Sequence, residues 1–132
     1  MIEILVDGAS KGNPGISGAG IVIKKDNHIH EYSIPLGVIS NHEAEFLAVI
    51  KALEICQEKY PNNMLAFQTD SQIVVDAIEK DYVKNPVFKP LLTEITSLKE
   101  SFSLFFIKWI PSNQNKHADR LARAAIQTQT NL

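Results

Sequence analysis

Apolar positions fall in short blocks over the first third of the chain and then change period. MIEILV (1–6) is rich in branched side chains and predicts a strand that ends on Asp7. GAGIVIKK (18–25) and HIHEYSIPLG (28–37) predict two more, parted by the turn pair Asp26-Asn27. From Asn41 the period is helical. Phe46, Val49, Ile50, Leu53 and Cys56 share one face, and Ala44, Ala48 and Ala52 form a small-residue stripe that predicts close packing. Asn41 is the expected N-cap, Glu43 and Glu45 suit the positive end of the helix dipole, and Pro61-Asn62-Asn63 is the stop. MLAFQTD (64–70) predicts a fourth strand, again ending on a carboxylate, and Ser71 caps a short helix through Lys80. A connector with two prolines, YVKNPVFKP (82–90), leads to the helical LLTEITSLKESF (91–102). SLFFIKWI (103–110) predicts a fifth strand, and NKHADRLARAAIQTQ (115–129) a last helix with Leu121, Ala122, Ala125 and Ile126 inward.

The order is βββαβα(α)βα. Short connections make the first three strands an antiparallel meander. Strands one, four and five are separated by helices and should lie parallel. The fold class is therefore α/β: a mixed five-stranded sheet, three antiparallel strands and then parallel ones, flanked by helices. Ligands of such sheets sit outside the carboxyl ends of the parallel strands. Asp7 and Asp70 both fall there.

Composition narrows the class. The 132 residues suit one domain, 1–132, that buries its own core; 45% are hydrophobic and 21% charged. The one cysteine, Cys56, sits in an apolar helical pattern, so no internal disulfide forms and a reducing compartment is expected. No apolar run is long enough to cross a bilayer, and the opening residues have no secretory pattern. The expectation is a cytoplasmic protein with no membrane contact and no obligate protein partner. The net charge of −2 gives no general attraction to polyanions, so nucleic-acid binding would need a local patch or metal ions.

Four acids stand out by position. Asp7 and Asp70 end strands, Glu45 shares a helix face with Ala48 and Ala52, and Asp119 opens the last helix. Singly, each has an ordinary reading: a turn former, a dipole partner, a cap, an exposed helical acid. Together they would repel unless a cation lay between them, and hard divalent ions take oxygen ligands. Two such ions about 4 Å apart can activate water and stabilise a leaving oxygen at a phosphodiester.

DGASKGNPGISGAG, NHEAEFLAVIKAL, TDSQ and NKHADRLARAA, in this order and spacing, resemble the signature segments of type 1 ribonuclease H. The resemblance spans nearly the whole chain. It implies a ribonuclease H-like fold and an endonuclease that cuts the RNA strand of an RNA–DNA hybrid with two divalent ions, Mg²⁺ or Mn²⁺. It places Asp7, Glu45, Asp70 and Asp119 on the family's metal-binding, catalytic acids. It assigns hybrid contacts to Gly8, Ala9 and Ser10 through the backbone, to Asn13 at the ribose 2′-hydroxyl, and to Asn41 and Gln72 in the minor groove. Small residues let a backbone approach ribose, and the 2′-hydroxyl separates RNA from DNA. The glycines also serve the turn between strands one and two.

Two segments depart from the family. The loop before Asp119 reads WIPSNQNKHAD, short and without a loop histidine; His117 stands two residues before Asp119 and is read as a surface residue. Asn115 matches the family's short-loop branch, whereas Ser112 and Asn113 replace the arginine and acid usual there. The basic, tryptophan-rich extension of some members is absent: EKDYVKNPVFKP offers only Lys80, Lys84 and Lys89, and Trp109, the one tryptophan, is expected in the core. His28 and His30 share a strand side and read as a solvated edge. Arg120 and Arg123 suit either phosphate or solvent. The rival reading is a catalytically weak or inactive hybrid- or RNA-binding module of the same fold; double-stranded RNA is the other substrate class left open.

Overall fold

The structure, a computed structural model, describes residues 1–130. Its elements are β1 (Ile2–Gly12), β2 (Gly15–Lys25), β3 (His28–Ile39), α1 (Asn41–Lys59), β4 (Met64–Thr69), α2 (Gln72–Lys80), α3 (Lys89–Lys99), β5 (Leu104–Trp109), a 3-10 turn (Ser112–Gln114) and α4 (Lys116–Thr130). The sheet order is β3-β2-β1-β4-β5. β1, β2 and β3 pair antiparallel, and β1, β4 and β5 pair parallel, as the connection lengths require.

Helices cover both faces. Ile2, Ile4 and Val6 of β1 pack with Phe46, Val49, Ile50, Leu53 and Cys56 of α1 in the main core, which also takes in α2 and α3. Ala44, Ala48 and Ala52 are fully buried, so the small-residue stripe does bring α1 close to the sheet. On the opposite face, Leu5 packs on Ala118, and Ala9 on Ala122 and Ile126 of α4. Cys56 is inert: burial pushes its thiol up to about 12.

Three expectations need correction. β1 does not stop at Asp7 but runs on to Gly12, because β2 pairs with it along its whole length. The N-cap of α1 is Ser40, not Asn41. Ser40 Oγ accepts from Glu43 N, and Ser40 N donates to Glu43 Oε1, each across 3.2 Å, a reciprocal capping box that satisfies two end groups at once. Trp109 is not core: it is 47% exposed at the last position of the edge strand β5, where no further strand covers it. Among the described residues no helix is long and apolar enough to cross a membrane.

Candidate active site

The site begins where one ladder ends. β1 pairs with β4 only as far as Leu5–Gln68, and β4 stops at Thr69, while β1 continues against β2 alone. Beyond Leu5 the edge of β1 is therefore open, and Asp7 stands at this notch. Side chains alternate along a strand. Asp7 thus shares the face of Leu5 and Ala9, towards α4.

Two helices reach the notch because glycine lets them. A Cβ on Gly8 would stand 2.3 Å from the carbonyl carbon and oxygen of Ala44 and 2.5 Å from Glu45 N. Only a residue without Cβ admits α1 at this distance, which brings Glu45 beside β1. A Cβ on Gly20 would lie 1.9 Å from Ala118 O, so the first turn of α4, with Asp119, is seated against β2 in the same way. The space on the Cβ side of Gly8 is filled by α1 backbone.

Asp70 is held in the turn after β4. Trp109 Nε1 donates to its carbonyl across 3.2 Å, and Ile110 N donates to Thr69 O across 2.9 Å. Ser71 caps α2, accepting from Val74 N. Asn115, almost fully buried just before α4, donates from Nδ2 to Val6 O (2.9 Å) and lies 3.4 Å from Asp70 Oδ1. Its own carbonyl accepts the first helical bond of α4, from Asp119 N (3.1 Å). One residue thereby joins the strand of Asp7, the carboxylate of Asp70 and the helix of Asp119.

These elements enclose a cleft of about 540 Å³. All four acids, Asp7, Glu45, Asp70 and Asp119, line it, together with Gly8, Ala9, Ser10 and Asn41. Asn13 and Gln72 do not. Asn13 Oδ1 accepts from Asn41 N (3.1 Å), tying the β1–β2 hairpin to the start of α1, and Gln72 Nε2 donates along its own helix to Asp76 (2.8 Å). Ser112, Asn113, Lys116 and Arg123 complete the wall. Lys116 had no signal in the sequence beyond its place just before the last acid.

Each outer acid already has a partner. Glu45 Oε1 lies 2.8 Å from His42 Nδ1, and Arg123 Nε donates to both Asp119 oxygens at 3.2 and 3.0 Å. Asp70 has Asn115. No three His, Cys, Asp or Glu among the described residues stand as a closed metal-ligand set. Asp7 has no such partner. Burial, with Asp70 and then Asp119 beside it, pushes its carboxyl up to about 9. His117 instead meets Glu31 of β3, away from the cleft wall.

The Reverse transcriptase-like family matches residues 5–125. The chain is 48% identical over 129 residues to a putative hydrolase, EbsB, of Enterococcus faecalis, covering 96% of this chain and 95% of that one. It is 35% identical over 148 residues to the ribonuclease H of Desulforamulus reducens, covering 99% and 90%. Among solved structures, the RNase H1 of Halobacterium salinarum superposes with a TM-score of 0.90 at 28% identity, covering 96% and 98%. LC11-RNase H1, solved in complex with an RNA/DNA hybrid, gives 0.90 at 31% identity, covering 98% and 99%. Sheet order, helix placement and the acidic cleft define a ribonuclease H-like nuclease. The chain belongs to the type 1 ribonuclease H family.

Proposed function

We propose that this protein hydrolyses the RNA strand of RNA–DNA hybrids at the cleft between β1, β4, α1 and α4. The observation that carries the reading is the convergence of Asp7, Glu45, Asp70 and Asp119 on one open cleft. The donor set is all oxygen, and burial beside Asp70 and Asp119 raises the Asp7 carboxyl, a crowding of carboxylates that a hard divalent ion would relieve. Two divalent ions, Mg²⁺ or Mn²⁺, would supply activation of water and stabilisation of the leaving oxygen when bound there. Asp7 would hold them from within β1, Asp70 from the turn after β4, and Glu45 and Asp119 from the helices.

The chain's other residues orient the hybrid. Ala9 and Ser10 offer backbone at the cleft with side chains small enough for ribose to approach. Asn41 lines the same wall. Asn13 spends its carbonyl on Asn41 and keeps its amide as donor to a 2′-hydroxyl. Lys116 sets a point charge in the cleft for a phosphate. With a net charge of −2, few phosphates are neutralised, about 2–4, and the salt dependence of binding is correspondingly shallow.

The test is cleavage of a labelled RNA–DNA hybrid by wild type and Asp70→Asn, with Mg²⁺, Mn²⁺ or chelator. Metal-dependent cutting of the RNA strand is expected in wild type only, with the metal-free variant at least as stable as wild type because one repelling charge is gone. Binding without cleavage under either metal would leave a hybrid-binding module instead.

A further inference from the structure

Arg123 stands in the wall between two cavities. It lines the acidic cleft, and with Ser10 it also lines an adjoining cavity of about 290 Å³ whose other lining residues are Lys11, Ile126 and Gln127. That second cavity has two cations, two polar side chains and no carboxylate, a lining suited to an anion. Arg123 now faces the other way and occupies both oxygens of Asp119 through Nε. Each oxygen keeps a second lone pair, but the guanidinium charge held against both of them opposes a divalent ion at Asp119.

We propose that Arg123 exchanges partners during substrate binding: it serves as the counter-ion of Asp119 until a divalent ion takes that carboxylate, and then turns to a backbone phosphate of the nucleic acid seated beside Lys11. The proposal rests on the reading of Asp119 as a metal ligand. The side chain is long and 70% exposed, so it moves without disturbing the core. An exposed ion pair of this kind is weak, so releasing it costs the metal only about two- to fivefold in affinity. The coupling is reciprocal: metal at Asp119 favours phosphate at Lys11 and Arg123, and phosphate there favours metal. Such an exchange would let a protein with little basic surface place one more cation on the hybrid only when the site is loaded.

The experiment compares wild type with Arg123→Ala, Lys11→Ala and Arg120→Ala, the last an exposed residue of α4 that lines neither cavity. The probes are Ca²⁺ alone, followed by calorimetry and thermal shift, and a short RNA–DNA hybrid at low salt, followed by anisotropy with Ca²⁺ or with EDTA. Without nucleic acid, Arg123→Ala should bind Ca²⁺ about two- to fivefold tighter than wild type, and Arg120→Ala should match wild type. With Ca²⁺, Arg123→Ala should bind the hybrid about three- to tenfold more weakly, with a salt slope shallower by about 0.9. With EDTA it should bind like wild type, whereas Lys11→Ala should lose affinity in both conditions. Equal loss for Arg123→Ala with Ca²⁺ and EDTA would make it a fixed contact and overturn the exchange. So would an unchanged Ca²⁺ affinity, or full hybrid affinity in Lys11→Ala. If Ca²⁺ neither binds nor stabilises wild type, the metal reading of the cleft fails and takes this proposal with it; if Ca²⁺ does bind wild type, any of the preceding outcomes overturns the exchange alone.

Discussion

The indole Nε1 of Trp109 donates to the backbone carbonyl of Asp70 across 3.2 Å, so the last residue of β5 holds the turn that carries a cleft acid. Trp109 is the chain's one tryptophan and is half exposed. Its emission should therefore report events at Asp70. A Mn²⁺ titration is expected to change the intrinsic fluorescence saturably, and Asp70→Asn should abolish that change while leaving the spectrum of the metal-free protein nearly intact. Trp109→Phe removes the hydrogen bond and should cost about 0.5–1.5 kcal/mol in denaturant unfolding. A Mn²⁺ response that survives in Asp70→Asn would place the ion elsewhere.

Asp7 makes the metal-free protein pH-sensitive. Its carboxyl is raised from 3.8 to about 9, chiefly by burial and then by Asp70, so between these values the folded state keeps a proton that the unfolded chain loses. The stabilisation is full at low pH and disappears as pH rises towards 9. In chelator, the melting temperature should fall from about pH 5 to about pH 9. Asp7→Asn should flatten that profile and melt higher than wild type at the alkaline end. A wild-type curve that climbs over this range would contradict the buried, protonated Asp7.

Asn115 links the acids and is tested by truncation. Asn115→Ala removes the bond to Val6 O and leaves that carbonyl without its donor, which should cost about 1–3 kcal/mol. The rise in melting temperature on adding Mn²⁺ should shrink as well, since Asp70 and the start of α4 lose their tie. Loss of stability with an undiminished Mn²⁺ shift would make Asn115 a packing residue only.

Gly20 is tested by adding one methyl group. The new Cβ in Gly20→Ala would meet the backbone oxygen of Ala118 at 1.9 Å, and backbone cannot yield as a side chain can. The expected loss is at or above the upper end of ordinary overpacking, about 3 kcal/mol. Because α4 must lift from β2, Asp119 should move with it and divalent stabilisation should fall. Thermal melts with and without Mn²⁺ measure both effects.

Most of the architecture was legible along the chain because it is written in local periods. The apolar face of Phe46, Val49, Ile50, Leu53 and Cys56 is buried in full, and strands separated by helices pair parallel while those joined by turns pair antiparallel. The capping box Ser40-x-x-Glu43 is also a local signal, and it outranks Asn41 as the cap because it satisfies two end groups at once. Trp109 shows where composition misleads: an aromatic in an apolar run reads as core, yet β5 is an edge strand.

What the sequence determined by itself was the kind of chemistry: four acids spaced along the chain, and glycines spaced through β1 and β2. Tertiary structure alone decided how these meet. The β1–β4 ladder ends two residues before Asp7, Gly8 and Gly20 admit α1 and α4, and Asn115 reaches Asp70, whereas His42–Glu45 and Arg123–Asp119 are local pairs three and four residues apart on one helix. The reason is range. A period of two or near four specifies which face of an element is apolar, but the contact between Asn115 and Val6 spans 109 residues, and only the closed sheet sets that distance.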